Sequence, residues 1–260
     1  MNSYTPREMM IISAARQIKD GEIVFMGTYW PIPSVLLAKR THAPGIIIAV
    51  EGGVIIDKAL SRIPLIAADA SVTSQAVMCG DSLDTLGALL HGGKVDVAVL
   101  SAALVDKYGN INTTCIGDYT KPQVRMAGSG GAADLAALSR RFIAVLEHDK
   151  HRFQERLDYI TTPGYLEGFD SREKAGLPRG GPSAVVTTMG VFKFEDHSKE
   201  MVLSEYFPGH SVEAIKDSFP WNLRIAPDVR EAKPPSEVEL RVLRNEVDPH
   251  GMYLMDERAR

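Results

Sequence analysis

Two runs, Ile46–Val50 and Phe142–Leu146, are apolar at every position rather than at every second one. A strand with one wet face alternates. A strand without alternation is buried on both faces, the condition of strands inside a parallel sheet covered by helices. Val95–Leu100 repeats the pattern, interrupted only by Asp96.

Helical spacing fills the gaps between these runs. Arg7–Ile18 carries apolar residues at helix intervals, with Thr5 as N-cap and Pro6 at the first helical position. Lys19-Asp20-Gly21 stops that helix, and Glu22–Met26 reads as a short strand. Pro33–Lys39 predicts a second helix, ended by the Thr41–Pro44 stretch. Ser82 to Leu90 reads as helical up to Gly92-Gly93, and Ala132–Ser139 as another helix. Strands alternating with helices imply βαβ crossovers, so the expected class is α/β, an open and mostly parallel sheet flanked by helices.

Beyond Pro163 the texture changes. GLPRGGPS reads as a loop, VVTTMGVFKFED as two strands around Met189-Gly190, and Val212–Phe219 and Ser236–Asn245 as closing helices. The expectation is one domain over 1–260, with an embellished C-terminal part from about 164.

Composition sets the outer limits. The 260 residues are 45% hydrophobic and 24% charged, which excludes a disordered chain and buries a core without staples. A net charge of −4 argues against a nucleic-acid coat or a polybasic membrane anchor. Cys79 and Cys115 are too few for a disulfide framework or a zinc cage; both are expected as small buried hydrophobes. No apolar run reaches about 18 residues, and the N-terminal stretch has no basic segment followed by a hydrophobic one. A cytoplasmic protein, partnered by neither nucleic acid nor membrane, is expected.

Three glycine-marked stretches could carry chemistry. Glu51-Gly52-Gly53 follows the strand Ile46–Val50 directly, and ligands of open α/β sheets gather at the carboxyl ends of strands. A carboxylate beside two residues without side chains leaves room for a carbonyl to approach; a charged residue in a plain turn would look the same. Gly128-Ser129-Gly130-Gly131 runs into a helix, where converging N–H groups can hold a phosphate or a developing oxyanion, or simply enter the helix. Its G-x-G-G spacing is not the dinucleotide fingerprint. Asp106 to Asn112 suits a tight turn in which Gly109 or Asn110 takes a positive φ. His148, Lys150, His151, Arg152 and Arg156 form a basic cluster expected on a solvated face or a subunit contact.

In order and spacing, AKRTHAPGIIIAVEGG, DKYGNINTTCIGDY, RMAGSGGAADLA, HDKHRFQERLDYITTPGYLEG and the final NEVDPHG resemble the β-type chains of family I coenzyme A transferases. The likeness spans almost the whole sequence. It implies that Glu51, at the glutamate of the family's V-E-S-G stretch, is the nucleophile that carries CoA as a glutamyl thioester. It places Gly130 and Gly131, with Gly52 and Gly53 beside the glutamate, as groups that hold the oxyanion and the CoA thioester. Gly52 stands where the family pattern has serine, removing a hydroxyl next to the nucleophile. The resemblance also implies an α-type partner subunit in an α2β2 or larger assembly, acyl-CoA and a carboxylic acid as substrates, and no metal or tightly bound cofactor. Relatives on this scaffold that hydrolyse thioesters, cleave C–C bonds or decarboxylate characteristically lose this glutamate. Glu51 therefore favours transfer over those alternatives, or over a subunit that only completes a partner's pocket.

Overall fold

The structure, a computed structural model, describes residues 3–177 and 180–255; Pro178 and Arg179 of the expected GLPRGGPS loop lie outside them. The chain forms two compact units, Met1–Ser101 with Pro234–Arg260, and Ala102–Lys233. The change of texture after Pro163 falls inside the second.

In the first unit, helix α1 (Pro6–Ala15) starts as the sequence predicts. Thr5 accepts from the Glu8 N–H while the Glu8 carboxylate accepts from the Thr5 N–H, a reciprocal capping box behind a leading proline. From Glu8 onward every residue of α1 is buried, so the helix is core all round. Strand β1 (Ile23–Met26) leads through α2 (Pro31–Arg40) to β2 (Ile47–Val50), the anticipated crossover, and β1 pairs in parallel with both β2 and β5 (Val97–Ser101). Outside β2 the order continues through β3 (Val54–Ile56) to β4 (Ala76–Cys79), both antiparallel additions that hydrophobic patterning did not announce. Residues Leu83–His91 are helical as expected, but wound as a wider π-helix.

The C-terminal stretch returns to this unit through two forked ion pairs. Arg244 grips the buried Glu8 carboxylate at 2.5 and 2.9 Å, and Arg16 grips Glu239 at 2.8 Å on both oxygens. Bidentate geometry makes such pairs directional as well as attractive. Glu239 in turn accepts from Ser236 at the start of the closing helix, Glu237–Val242.

The second unit holds β6 (Leu104–Asp106), β7 (Ile111–Asn112), β8 (Cys115–Ile116), β9 (Val124–Arg125), helix α3 (Ala132–Leu138), β10 (Arg141–Val145) and β11 (Phe153–Gln154). Then come β12 (Pro182–Val186), β13 (Gly190–Phe194), β14 (Met201–Tyr206) and β15 (Arg224–Glu231). Strands β10 and β12 pair in parallel, β12–β13 and β13–β14 are antiparallel, and β14–β15 is parallel again. The two strands around Met189-Gly190 stand as expected. The α/β class and open sheet with parallel crossovers hold, and antiparallel hairpins extend them.

Two side-chain expectations need correction. Cys115 is buried, but Cys79 is exposed, because it ends a strand that packs on one neighbour only. His148 does not belong to a solvated basic face: its ring packs against Phe153 and Phe219, at centroid distances of 4.9 and 5.4 Å. Lys150, His151 and Arg156 are exposed, as anticipated.

Candidate active site

Glu51 opens the three-residue turn that joins β2 to β3, at the carboxyl end of a buried parallel strand. The last residue of the turn has no alternative. Gly53 sits at φ +86°, donates to the Val50 carbonyl at 3.2 Å, and a Cβ on it would meet the Asp81 backbone at 2.5 Å. Gly80 closes the contact by donating to the Gly53 carbonyl at 2.9 Å. Gly52 is different: a Cβ there would meet nothing within 4 Å.

The Glu51 side chain is exposed, and among the described residues its carboxylate has no hydrogen-bond or ion-pair partner. Its backbone carbonyl receives the hydroxyl of the buried Thr85 at 3.5 Å. The carboxylate is thus held by its backbone and left free at its oxygens, the condition a nucleophile needs.

A hollow of about 400 Å³ lies against it, lined by Thr28, Glu51, Gly52, Ile66, Ala67, Ala68 and Ser82. Among these, Glu51 is the one charged residue. Sequence patterning leaves the other wall residues unassigned, although one signal is present: Thr28 follows β1 closely, as Glu51 follows β2, at a carboxyl strand end. Gly27 makes that approach possible by donating to the Val99 carbonyl at 3.0 Å, where a Cβ would collide with the same oxygen at 2.6 Å.

Gly130 and Gly131 lie in the second unit, so Glu51, Gly52 and Gly53 form one local group and these two another. Gly130 has φ +49°, and Gly131 is the N-cap of α3 with no side chain to satisfy the first turn. Among the described residues neither N–H has an acceptor. The loop is tied to the third glycine-marked stretch: Thr113 donates its hydroxyl to the Gly128 carbonyl at 2.7 Å, and Gly128 donates its N–H to the Thr113 carbonyl at 2.8 Å.

That third stretch is a turn, with Gly109 at φ +70° as anticipated. Its centre is the buried pair Asp106–Asn110. Asp106 accepts from the N–H groups of Tyr108 and Asn110 and from the Asn110 amide at 2.7 Å. Burial pushes its carboxyl up to about 6 against those bonds. Asn110 meanwhile accepts from the N–H groups of Gly164 and Leu166, so it is a bracket between loops rather than a ligand. A larger hollow of about 650 Å³ beside this turn has Lys107 and Glu155 in its lining, already paired to each other at 3.4 Å. Chemistry rather than volume therefore singles out the Glu51 hollow. Among the described residues no helix is long and apolar enough to cross a membrane.

The coenzyme A transferase family model matches residues 7–218. The chain belongs to that family. This CoA-transferase chain is 36% identical over 244 residues to the B-type chain of 3-oxoadipate CoA-transferase from Pseudomonas knackmussii, covering 94% of each. It is 35% identical over 257 residues to the B-type chain of glutaconate CoA-transferase from Acidaminococcus fermentans, covering 97% of this chain and 96% of the relative. The crystal structure of glutaconate coenzyme A-transferase from that organism superposes with a TM-score of 0.90, at 33% identity over 98% of both chains.

Proposed function

We propose that this CoA-transferase chain is the β-type subunit of a heteromeric enzyme, that Glu51 is its nucleophile, and that it acts together with an α-type subunit. The observation that carries the reading is an unpartnered carboxylate at a strand end, rigidly mounted between Val50 and Gly53 and facing a hollow with no competing charge. Both relatives named above are B-type chains of CoA-transferases, which supports transfer over hydrolysis or lyase chemistry.

In the proposed cycle a Glu51 oxygen attacks the thioester carbonyl of an acyl-CoA. The C–S bond breaks, leaving an acyl-glutamyl anhydride and the CoA thiolate. The thiolate attacks the glutamyl carbonyl, forms the glutamyl-CoA thioester and releases the donor acid as a carboxylate. The acceptor carboxylate reverses both steps. Each addition places negative charge on a carbonyl oxygen, which must be met by N–H donors. The acyl group comes from a small or aromatic carboxylic acid, and the names of both relatives, 3-oxoadipate and glutaconate CoA-transferase, support a dicarboxylate.

Intact mass after incubation with acyl-CoA and borohydride tests this reading. Reduction of a glutamyl thioester to the alcohol lowers the chain by about 14 Da, on a peptide containing Glu51. Glu51→Gln should fold normally and lose transfer by at least about a thousandfold. An unmodified chain in a complex that still consumes thioester would sink the covalent mechanism.

A further inference from the structure

Thr28 reaches the Glu51 hollow from the neighbouring strand. Phe25 of β1 stands opposite Ala49 of β2, and that register carried two residues on sets Gly27 level with Glu51. Thr28 comes next, on a strand about 4.8 Å away. Its backbone is fixed: the Ser101 hydroxyl donates to the Thr28 carbonyl at 2.8 Å, just after Gly27 has bonded to Val99.

The turn that follows is strained. Tyr29 has φ +73°, and among the described residues of the first unit no other residue but glycine takes a positive φ. A bulky side chain in that conformation persists when its surroundings hold it, and such outliers gather at functional sites. Here the Tyr29 ring packs on Trp30 and Tyr253, at centroid distances of 4.5 and 6.0 Å, and its carbonyl receives the Ile32 N–H at 3.0 Å. The chain turns at once into α2, with Thr28 left on the wall of the hollow.

The Thr28 hydroxyl is half used. Its Oγ1 accepts from the Ala67 N–H at 3.4 Å, and among the described residues its own hydrogen has no acceptor. Ser82, the other hydroxyl of the hollow, is not held in this way: it precedes the helix Leu83–His91 and makes no capping bond. In the free chain water meets the Thr28 hydrogen. An acyl group that displaces this water must offer an oxygen in its place or bind at a loss, so a fixed donor sorts substrates by whether they carry an acceptor. A carboxylate at that point would be repelled by Glu51, whereas a ketone or hydroxyl would not. Once the first carbon of the acyl chain is bonded to Glu51, a donor one strand away reaches an oxygen on the third carbon.

We infer that Thr28 determines acyl specificity: its hydroxyl donates to a neutral oxygen on the third carbon of the acyl chain, and the left-handed Tyr29 holds it in position. The inference rests on the nucleophile reading above and adds which acyl groups the site selects.

The test compares 3-oxoadipoyl-CoA with adipoyl-CoA, which differ in the ketone on the third carbon and share the distal carboxylate. The complex co-expressed with the α-type subunit of the same source is mixed with each, and the second-order rate constant for forming the Glu51 thioester is read by borohydride trapping and peptide mass. The ratio of the two constants cancels any change in the amount of folded enzyme. The parent should favour the oxo compound by at least about tenfold, Thr28→Val should bring the ratio to within about twofold of unity, and Thr28→Ser should keep it. Tyr29→Gly should lower the ratio, and Tyr29→Phe, which keeps the ring, should preserve it. A Thr28→Val complex that retains the preference overturns the inference. So does one slowed equally with both compounds, which would assign the hydroxyl to the nucleophile instead. A parent without preference, or a preference erased by Ser82→Ala and not by Thr28→Val, overturns it as well, and a Tyr29→Gly complex with the full preference removes Tyr29 from it. In each of these cases Glu51 is still modified and the nucleophile reading stands. No modification of Glu51 by either compound sinks that reading, and this inference with it.

Discussion

The Tyr253 hydroxyl lies 2.8 Å from the Leu65 carbonyl and 2.9 Å from that of Pro64, binding the last described turn of the chain to a loop almost two hundred residues earlier. The tyrosine is itself held, because Asp248 accepts from the N–H groups of Met252, Tyr253 and Leu254. Burial pushes the phenol above its ordinary range, so it stays protonated and donating. The residues after Leu65 are Ile66, Ala67 and Ala68, one wall of the Glu51 hollow. Tyr253→Phe removes a shared donor from two carbonyls, a loss of about 1 kcal/mol. Hydrogen exchange should accelerate at the amides of residues 65–68 and stay unchanged in α1. Equal protection in both proteins would mean that the C-terminal turn does not hold the wall.

The two glycines after Glu51 should respond in opposite ways to a methyl group. Gly53→Ala forces a side chain into the left-handed region and into the Asp81 backbone, so a loss of roughly 2–4 kcal/mol is expected, together with loss of transfer. At Gly52 there is space and no positive φ, so Gly52→Ser should melt within about 2 °C of the parent. What Gly52→Ser changes is the hollow, and kcat/KM should fall more for bulky acyl-CoA than for small. Paired thermal melts and a short acyl-CoA series check both halves; equal destabilisation by the two substitutions would contradict the geometry.

Asn110 spends both ends of its amide, donating to Asp106 at 2.7 Å and to the Leu166 carbonyl at 2.8 Å while its oxygen receives Gly164 and Leu166. Asn110→Asp would set a second buried carboxyl against the first and remove both donated bonds. Buried charges without partners cost about 3 kcal/mol or more. The variant should show a lower Tm at pH 7 and recover part of it at pH 5, as one carboxyl takes up a proton. A pH-independent Tm deficit would show that packing rather than charge is at fault.

What was legible in the sequence was local. The Thr5–Pro6 signal, the apolar run of β2 and the left-handed turn residue at Gly109 or Asn110, which is Gly109, each depend on neighbours within a few residues, and each stands as expected. Glu51 was legible because its position at a strand end is also local. Strand β4 was not, because a strand exposed along its length has no alternation to read. The pairs Arg244–Glu8 and Tyr253–Leu65 were invisible for another reason: they join residues far apart in the chain, and no spacing rule reaches that distance. Asn110 looked like a turn residue, and the turn is there. Its use as a bracket for Gly164 and Leu166 emerges only when the second loop is in place.

His148 predicts how the second unit responds to acid. Ser218 donates its hydroxyl to the Ile215 carbonyl, so it accepts from the His148 Nε2–H at 2.8 Å. The tautomer is thereby set, and Nδ1 is left buried without a partner. Protonation would add a donor at Nδ1 with nothing to receive it, between the rings of Phe153 and Phe219. Burial first, then His210, lowers the imidazole from 6.5 to about 4, with Asp149 opposing. The unfolded chain therefore binds the proton first as pH falls. Stability from neutral His148 is full above about pH 6.5 and is lost as pH drops toward 4. Asp106 works the other way, since its raised pKa of about 6 costs stability as pH rises from 3.8 through 6. The two slopes oppose each other across the same window, so the parent should show a shallow dependence. His148→Phe removes one slope, and its stability relative to the parent should rise as pH is lowered from 7 to 5, by an amount on the order of 1 kcal/mol after allowing for partial exposure. Paired melts at the two pH values measure it. A Tm difference that stays constant between pH 7 and pH 5 would mean that His148 is solvated and titrates normally.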